Sequence, residues 1–567
     1  MDKRIKKSWN SILPYLTLAF VITLMLSYQL NARATFISSD AWIHFYRFFD
    51  TKMQIKTGNF SYFQTNYGFN HSGRIFNAMY GPLFAYLNGL LLLLCKSWFI
   101  YEIIIEYAVF MTAGIGLYKL CQKVKISQAI SLVLAIIYLQ FGIVISIYRF
   151  NWMAWGAALA PYVLIQAVNM VEDQKRPIHW LSLALIMSLL AQIHVLSTVI
   201  LTLTLIPFFL YGLLQNKNKK IYLLDTLKAL FLAFLLTANI WGTFLLLYPH
   251  NHIALPNNSD LNQYAMHLSK FKGLHAHVSY TIATLILVQL IYVLLHFKQS
   301  KINTISTMVA IVIFLVASRW FPWIKIQASY PKVGSFFQFP YRLMLGAYPL
   351  LLMGSGISIT ELVRNKGSVV KNYAIFALLI VLLQNFSFNV IANYNQTKYF
   401  LTSNKVVLMS NTYFAAKKPK KIKYITRHTT SGKLFSLAKH VEPDYLPCKK
   451  HASNLVYAHK VVDQQHHYIY KVQGNRLILN WKSKKSGNKY LPIVMYDRSI
   501  LMVNGKNQTK SHKNTIMQPL VKVQKGKNQA TLQFMTPIWF KILLGITVVS
   551  WIIVIIYPLS RRIKGLK

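Results

Sequence analysis

Asp40, His44 and Arg47, in the segment SSDAWIHFYRFFDTKMQIKTGNF, stand at i, i+4 and i+7, so on a helix they share one face. A carboxylate near a helix end, beside an imidazole and a guanidinium at a low-dielectric boundary, can be tuned as a general base or a metal ligand. The same spacing also suits an interfacial amphipathic helix that buries Trp42, Phe45 and Phe49 and wets its polar side. Asp50, three residues after Arg47, reads as a structural ion-pair partner. Tyr67, Asn70, His71 and Arg74 add polar groups downstream in the same loop, and loops held by a rigid scaffold often carry function.

Other candidates are scattered along the chain. Glu102 and Glu106 are one helical turn apart in an apolar run, where they form a paired carboxylate site or answer surrounding cations. His194, in QIHVLS, either meets a phosphate or caps a turn. Lys332 and Arg342 lie among the aromatics of SRWFPWIKIQASYPKVGSFFQFPYRLM. Cations beside aromatic rings suit a lipid phosphate with an attached sugar, and equally an aromatic belt with snorkelling side chains.

The elements that must position these residues are membrane helices. Of 567 residues, 54% are hydrophobic and 13% charged, which excludes an ordinary soluble enzyme. The basic start MDKRIKKSW precedes an apolar run from Ser11 to Leu30, long enough to cross a bilayer and read as an uncleaved signal anchor with a cytoplasmic N-terminus. Basic clusters KLCQKVK, EDQKRP, QNKNKK, HFKQSK and VRNKGSVVK separate later runs and read as cytoplasmic turns. Ala78–Leu94 is expected as a partly embedded outer helix, and QIH at Gln192–His194 as an external turn between two crossings. The outcome is an all-α polytopic chain of about twelve crossings with both ends cytoplasmic. The terminal SRRIKGLK agrees with that orientation.

The stretch 392–535 changes character. The segments HYIYKV, RLILNW, LPIVMY, ILMV, LVKV and ATLQF, several of them separated by the turns VQGN, VNGK and QKGKN, predict a small extracellular β domain before a final crossing in 536–567. Residues 1–391 then form the membrane domain, with 31–77 as its first external loop. KKPKKIK at 417–423 reads as a solvated linker. Lys and Arg number 62 against 14 Asp and Glu, a formal charge of +48. With no sizeable cytoplasmic domain, that charge points to anionic lipid or envelope polymer and away from nucleic acid. Three cysteines cannot build a disulfide framework. Without a Walker loop, HExxH or GxSxG in a plausible context, ATP-driven pumping, zincin proteolysis and lipase chemistry have no support.

An uncleaved first span followed by D-x-x-x-H-x-x-R, GNF, YGPLFAYLNGLL, QFPYRLM at Gln338–Met344, DYLP at Asp444–Pro447 and a β domain before one last span resembles the bacterial YfhO-like and pyruvoyl-tetrahydropterin-synthase-related membrane proteins. These are similar to the GT-C superfamily of glycosyltransferases. The resemblance implies transfer of a sugar from a polyprenyl-phosphate carrier to an envelope polymer or lipid on the outer face. It maps the key acid onto Asp40, with His44 and Arg47 at adjoining motif positions. To this we add an expectation of our own, that Arg342, Lys332 and His194 bind the donor phosphate. A single Asp replaces the acidic pair of some superfamily members, which leaves open whether a divalent cation such as Mg or Mn takes part, with Asp40 as its candidate ligand. The expected setting is the plasma membrane of a Gram-positive bacterium. Two other classes stay open: a lipid-linked saccharide flippase or transporter, and a non-catalytic protein that binds or assembles cell-wall polymer.

Overall fold

The computed structural model describes residues 3–564 except 150, 257, 269–275, 408–412, 442–443 and 450–453. The chain is mostly helical and divides into two compact units. The first comprises Met1–Ala34, Glu102–Phe231 and Asn258–Thr402; the second comprises Thr35–Tyr101, Leu232–Asn257 and Ser403–Lys567.

Among the described residues, six helices are long and apolar enough to cross a membrane, and up to eight crossings result if each of two bent pairs is one span. The bends are 53° between Gln128–Leu139 and Gly142–Tyr148, and 61° between Lys219–Leu236 and Ala238–Leu247. Five shorter apolar helices accompany them: Ser11–Met25, Pro82–Leu94, Trp180–Ile193, Tyr280–Leu295 and Lys301–Ala317. The expected break at QIH is present, since Trp180–Ile193 ends and Val195–Gln215 begins at His194.

The expected turn at VRNKGSVVK is not. One helix runs from Met344 to Thr402 straight through it, past the predicted boundary at 392. Charge alone suggested the turn, but the segment has no proline and a single glycine, Gly367, which costs a helix only about 1 kcal/mol relative to alanine.

In the second unit a five-stranded antiparallel sheet has the order Ile469–Gln473, Arg476–Ser483, Gly526–Phe534, Ser499–Val503, Lys506–Asn507. The predicted turns close two of its hairpins. Gly474 has φ 59°, and Asn504 and Gly505 have φ 49° and 77°, the left-handed conformations that two-residue hairpin loops require. Leu477, Leu479, Trp481, Leu501, Val503 and Leu532 bury one face. LPIVMY is buried but is not a strand. Pro492 lacks a ladder donor, and Val494 N–H instead donates to Ser72 O at 2.9 Å. Leu520–Val523 pairs with Gly487–Tyr490 as a separate two-stranded ribbon.

A second core joins Phe63, Ile75, Tyr457, Val494, Phe534 and Phe540, so the first loop packs in one body with the strands and the last helix. KKPKKIK is also corrected: Pro419–His428 is a helix that buries Ile422 and Ile425 and exposes Lys418, Lys420 and Lys421. Pro419 at its first turn fits helix initiation.

Candidate functional site

Ser39–Thr57 is the helix the first pattern predicted. Ser38 Oγ accepts from Ala41 N–H at 3.0 Å to cap its start, and Gly58, at φ 71°, ends it. Asp40 lies exposed in the first turn, where the helix's partial positive end complements a carboxylate. The shared face then runs inward from solvent, because His44 and Arg47 are both buried.

Arg47 is held on every side. Its Nε donates to Asn77 Oδ1 at 3.1 Å, Nη1 donates to His44 Nδ1 at 3.0 Å, and Nη2 donates to the Tyr80 carbonyl. The guanidinium also lies 4.6 Å from the Tyr80 ring centroid. Among the described residues no carboxylate is within ion-pair distance of it; burial lowers its pKa to about 10. An arginine can only donate, so His44 Nδ1 is the acceptor and a neutral ring carries its proton on Nε2. His44 is thus buried and bonded to Arg47 on the helix whose first turn carries Asp40.

The expected Arg47–Asp50 pair does not form. Asp50 accepts instead from Tyr67 N–H at 2.7 Å, Gly68 N–H at 3.2 Å and Gln54 Nε2 at 2.7 Å, pinning the loop to the helix. A Cβ on Gly68 would sit 2.6 Å from Tyr46 O, which explains the glycine. Burial raises the Asp50 carboxyl to about 6. Arg74 is buried over the Phe69 ring at 4.8 Å and donates to the Asp444 carbonyl. It anchors the DYLP segment and presents no open cation to a substrate.

The remaining candidates belong to the first unit. Glu102 and Glu106 are fully buried, and Gln29 Nε2 donates to both, at 3.0 and 3.3 Å. Asn393 closes the set, its Oδ1 accepting from Gln29 N–H at 3.1 Å and its Nδ2 donating to Gln29 Oε1 at 3.4 Å. His194 takes the capping alternative: its Nδ1 accepts from Ser197 N–H at 3.2 Å and bonds Ser197 Oγ at 2.7 Å. Lys332 is exposed. Arg342 donates to Phe337 O and Gln338 Oε1, both at 3.1 Å, at the start of its own QFPYR turn and the residue before it. A cavity of about 610 Å³ in this unit carries both signs, from Lys123, Lys125, Glu172, Asp173, Glu361 and Arg364.

A second cavity, of about 670 Å³, lies in the second unit and is lined from the same helix that carries Asp40, by Tyr46, Phe49 and Met53. Sequence reasoning missed Lys433 and Lys439, which belong to no motif, and read Lys417 only as part of the solvated KKPKKIK run. It also missed Asn77 and Tyr80, the acceptors of Arg47.

A divalent cation needs several converging oxygen or nitrogen donors. Among the described residues no three His, Cys, Asp or Glu side chains gather to supply them. The described donors around Asp40 do not fit a protein-built divalent site. No family model and no curated protein sequence matches the chain.

Proposed function

We propose that the protein is a multi-pass transferase of the plasma membrane that moves a sugar from a polyprenyl-phosphate carrier to an envelope acceptor on the outer face. The observation that carries this reading is the Ser39–Thr57 helix: a solvent-exposed acid at its capped first turn, above a histidine and an arginine locked by buried hydrogen bonds. A base on a rigid support is what acceptor activation requires. Asp40 takes the proton of the acceptor hydroxyl, the oxygen bonds to the anomeric carbon, and the carbon–phosphate oxygen bond breaks, so the carrier departs as its phosphate. This reading rests on the Asp40 unit alone.

The proposal includes a topology. The chain is multi-pass, with both termini cytoplasmic, the sheet outside, and a Gram-positive host; the apolar stretches Pro340–Arg364 and Ile375–Thr402 lie in one unbroken helix and cannot serve as an outward and a returning crossing, so the expected twelve is not carried forward. The YfhO-like and GT-C-like resemblance belongs to the same proposal. Its test is transfer of labelled sugar from polyprenyl-linked donors to envelope fractions by the purified protein, with Asp40→Asn alongside. Product formed at the normal rate by that variant removes Asp40 from the chemistry.

One observation favours a second reading, lipid-linked saccharide transport. Glu102, Glu106, Gln29 and Asn393 form a buried polar set on apolar helices, and intramembrane carboxylates often mark ion or substrate paths. Flux of a labelled lipid-linked saccharide across proteoliposomes, abolished by Glu106→Gln while Asp40→Asn flux is normal, would establish it over transfer.

A further inference from the structure

We infer that the 670 Å³ cavity of the second unit binds a saccharide chain bearing an anionic group such as phosphate. For its role as the acceptor subsite this rests on the transferase reading; as a binding site it stands on its own walls. The volume is in the range of small-molecule sites and far larger than a single ion needs.

Two stacked ring pairs contribute to the lining. Tyr46 stacks on Phe435 at 4.3 Å and 22°, with Phe49 edge-on to Phe435 at 5.3 Å. His71 stacks on Tyr470 at 4.7 Å and 14°. Because each ring already has a ring partner, the walls are flat apolar faces and not an open slot that would sandwich a nucleobase. Flat aromatic walls suit the C–H face of a sugar, as rings with polar tips commonly line mixed sites. Gly432 keeps one wall in place, since a Cβ there would lie 2.2 Å from the Phe49 ring.

Polar groups of the same lining match sugar hydroxyls. Tyr470 and Gln465 line the cavity, and Tyr470 Oη and Gln465 Oε1 have no hydrogen-bond partner among the described residues, a costly state that a ligand hydroxyl relieves after a small rotation of either side chain toward the cavity. His71 Nδ1 donates to Asn66 O at 2.8 Å and burial lowers its pKa, so its Nε2 is available as an acceptor. The anionic requirement comes from the charges. Lys439 is neutralised by Asp463, which also meets His459 at 3.1 Å. Lys417 and Lys433 are exposed at the cavity, and no described ion pair includes them. Two uncommitted ammonium groups beside a hydroxyl-matched pocket select a phosphorylated or carboxylated saccharide over a neutral one.

The test uses full-length protein in detergent and calorimetric titration. Its probes are trisaccharides of glucose, galactose and N-acetylglucosamine, each neutral and monophosphorylated, with glycerol 3-phosphate and uridine monophosphate as comparisons. At least one phosphorylated trisaccharide is expected to bind at least about tenfold more tightly than its neutral form and than either comparison. Lys433→Met should weaken that ligand about tenfold and leave the neutral trisaccharide unchanged, and Tyr470→Phe, which keeps the ring stack, should weaken both about fivefold. Binding of no trisaccharide, stronger binding of uridine monophosphate, or affinities indifferent to both variants overturns the inference. Asp40→Asn separates the two proposals. Normal transfer by that variant, with saccharide binding intact, defeats the catalytic reading alone; lost transfer with no saccharide binding defeats the cavity assignment alone.

Discussion

Replacing Arg47 by Met should unfold the platform beneath Asp40 far more readily than loss of a surface cation would. Three neutral acceptors depend on this guanidinium: Asn77 Oδ1, the Tyr80 carbonyl and His44 Nδ1. Each buried acceptor left without a donor costs about 1–3 kcal/mol, and the lost contact with the Tyr80 face adds about 1 kcal/mol. Removing a buried charge that has no carboxylate partner offsets part of that sum. The net expectation is a loss of about 3–5 kcal/mol. Arg47→Lys, with one compact donor group in place of the planar fork, should recover less than half of it. The assay is denaturant unfolding of the purified full-length protein in detergent, followed by near-ultraviolet circular dichroism. A Met variant within 1 kcal/mol of wild type would refute the view that Arg47 organises the Ser39–Thr57 helix and its loop.

Further predictions concern buried polar groups. Because burial raises Asp50 to about 6, against about 3.9 in an unfolded chain, its contribution is present in acid and is lost as pH rises through 6. Relative to Asp50→Asn, wild type should lose about 2 kcal/mol of stability between pH 4 and 7, read as the difference between unfolding midpoints; parallel pH profiles would contradict this. His440 has the opposite sign. Burial and the nearby Arg74 charge lower it to about 3, so its contribution is present above about 6.5 and is lost as pH falls toward 3. Wild type should therefore weaken relative to His440→Gln by about 1.4 kcal/mol per pH unit in that window, and a constant difference would refute the assignment. Gln29→Leu removes the amide donor shared by Glu102 and Glu106 and should cost about 2–4 kcal/mol in the same unfolding assay; an unchanged midpoint would show that the two acids do not rely on it.

Local patterns were legible in the sequence where a short-range rule decides the geometry. The i, i+4, i+7 face of Asp40, His44 and Arg47, the helix break at His194 and the glycine hairpins at Gly474 and Gly505 all follow from neighbours a few residues apart. Charge patterns were misleading when read without propensity. VRNKGSVVK continues a helix because nothing in it stops one, and KKPKKIK leads into a helix whose Ile422 and Ile425 are buried. Long-range partners left no trace in the pattern. Nothing near Gln29 announces Glu102, Glu106 and Asn393, and nothing near Arg47 announces Asn77. LPIVMY has strand-like composition, yet its donors are taken by loops distant in sequence, a tertiary outcome that overrides β propensity. The Asp50 spacing suggested an ion pair, whereas its oxygens face the backbone of Tyr67 and Gly68.

The most direct measurement is the initial rate of sugar transfer from a radiolabelled polyprenyl-phosphate donor by Asp40→Asn protein. It is to be set against wild type at equal amounts of folded protein in the same membranes. The rate should fall at least about a hundredfold, the scale expected for removing a positioned base, with unfolding stability close to wild type because Asp40 is exposed. A rate equal to that of wild type would contradict the role of Asp40 as that base.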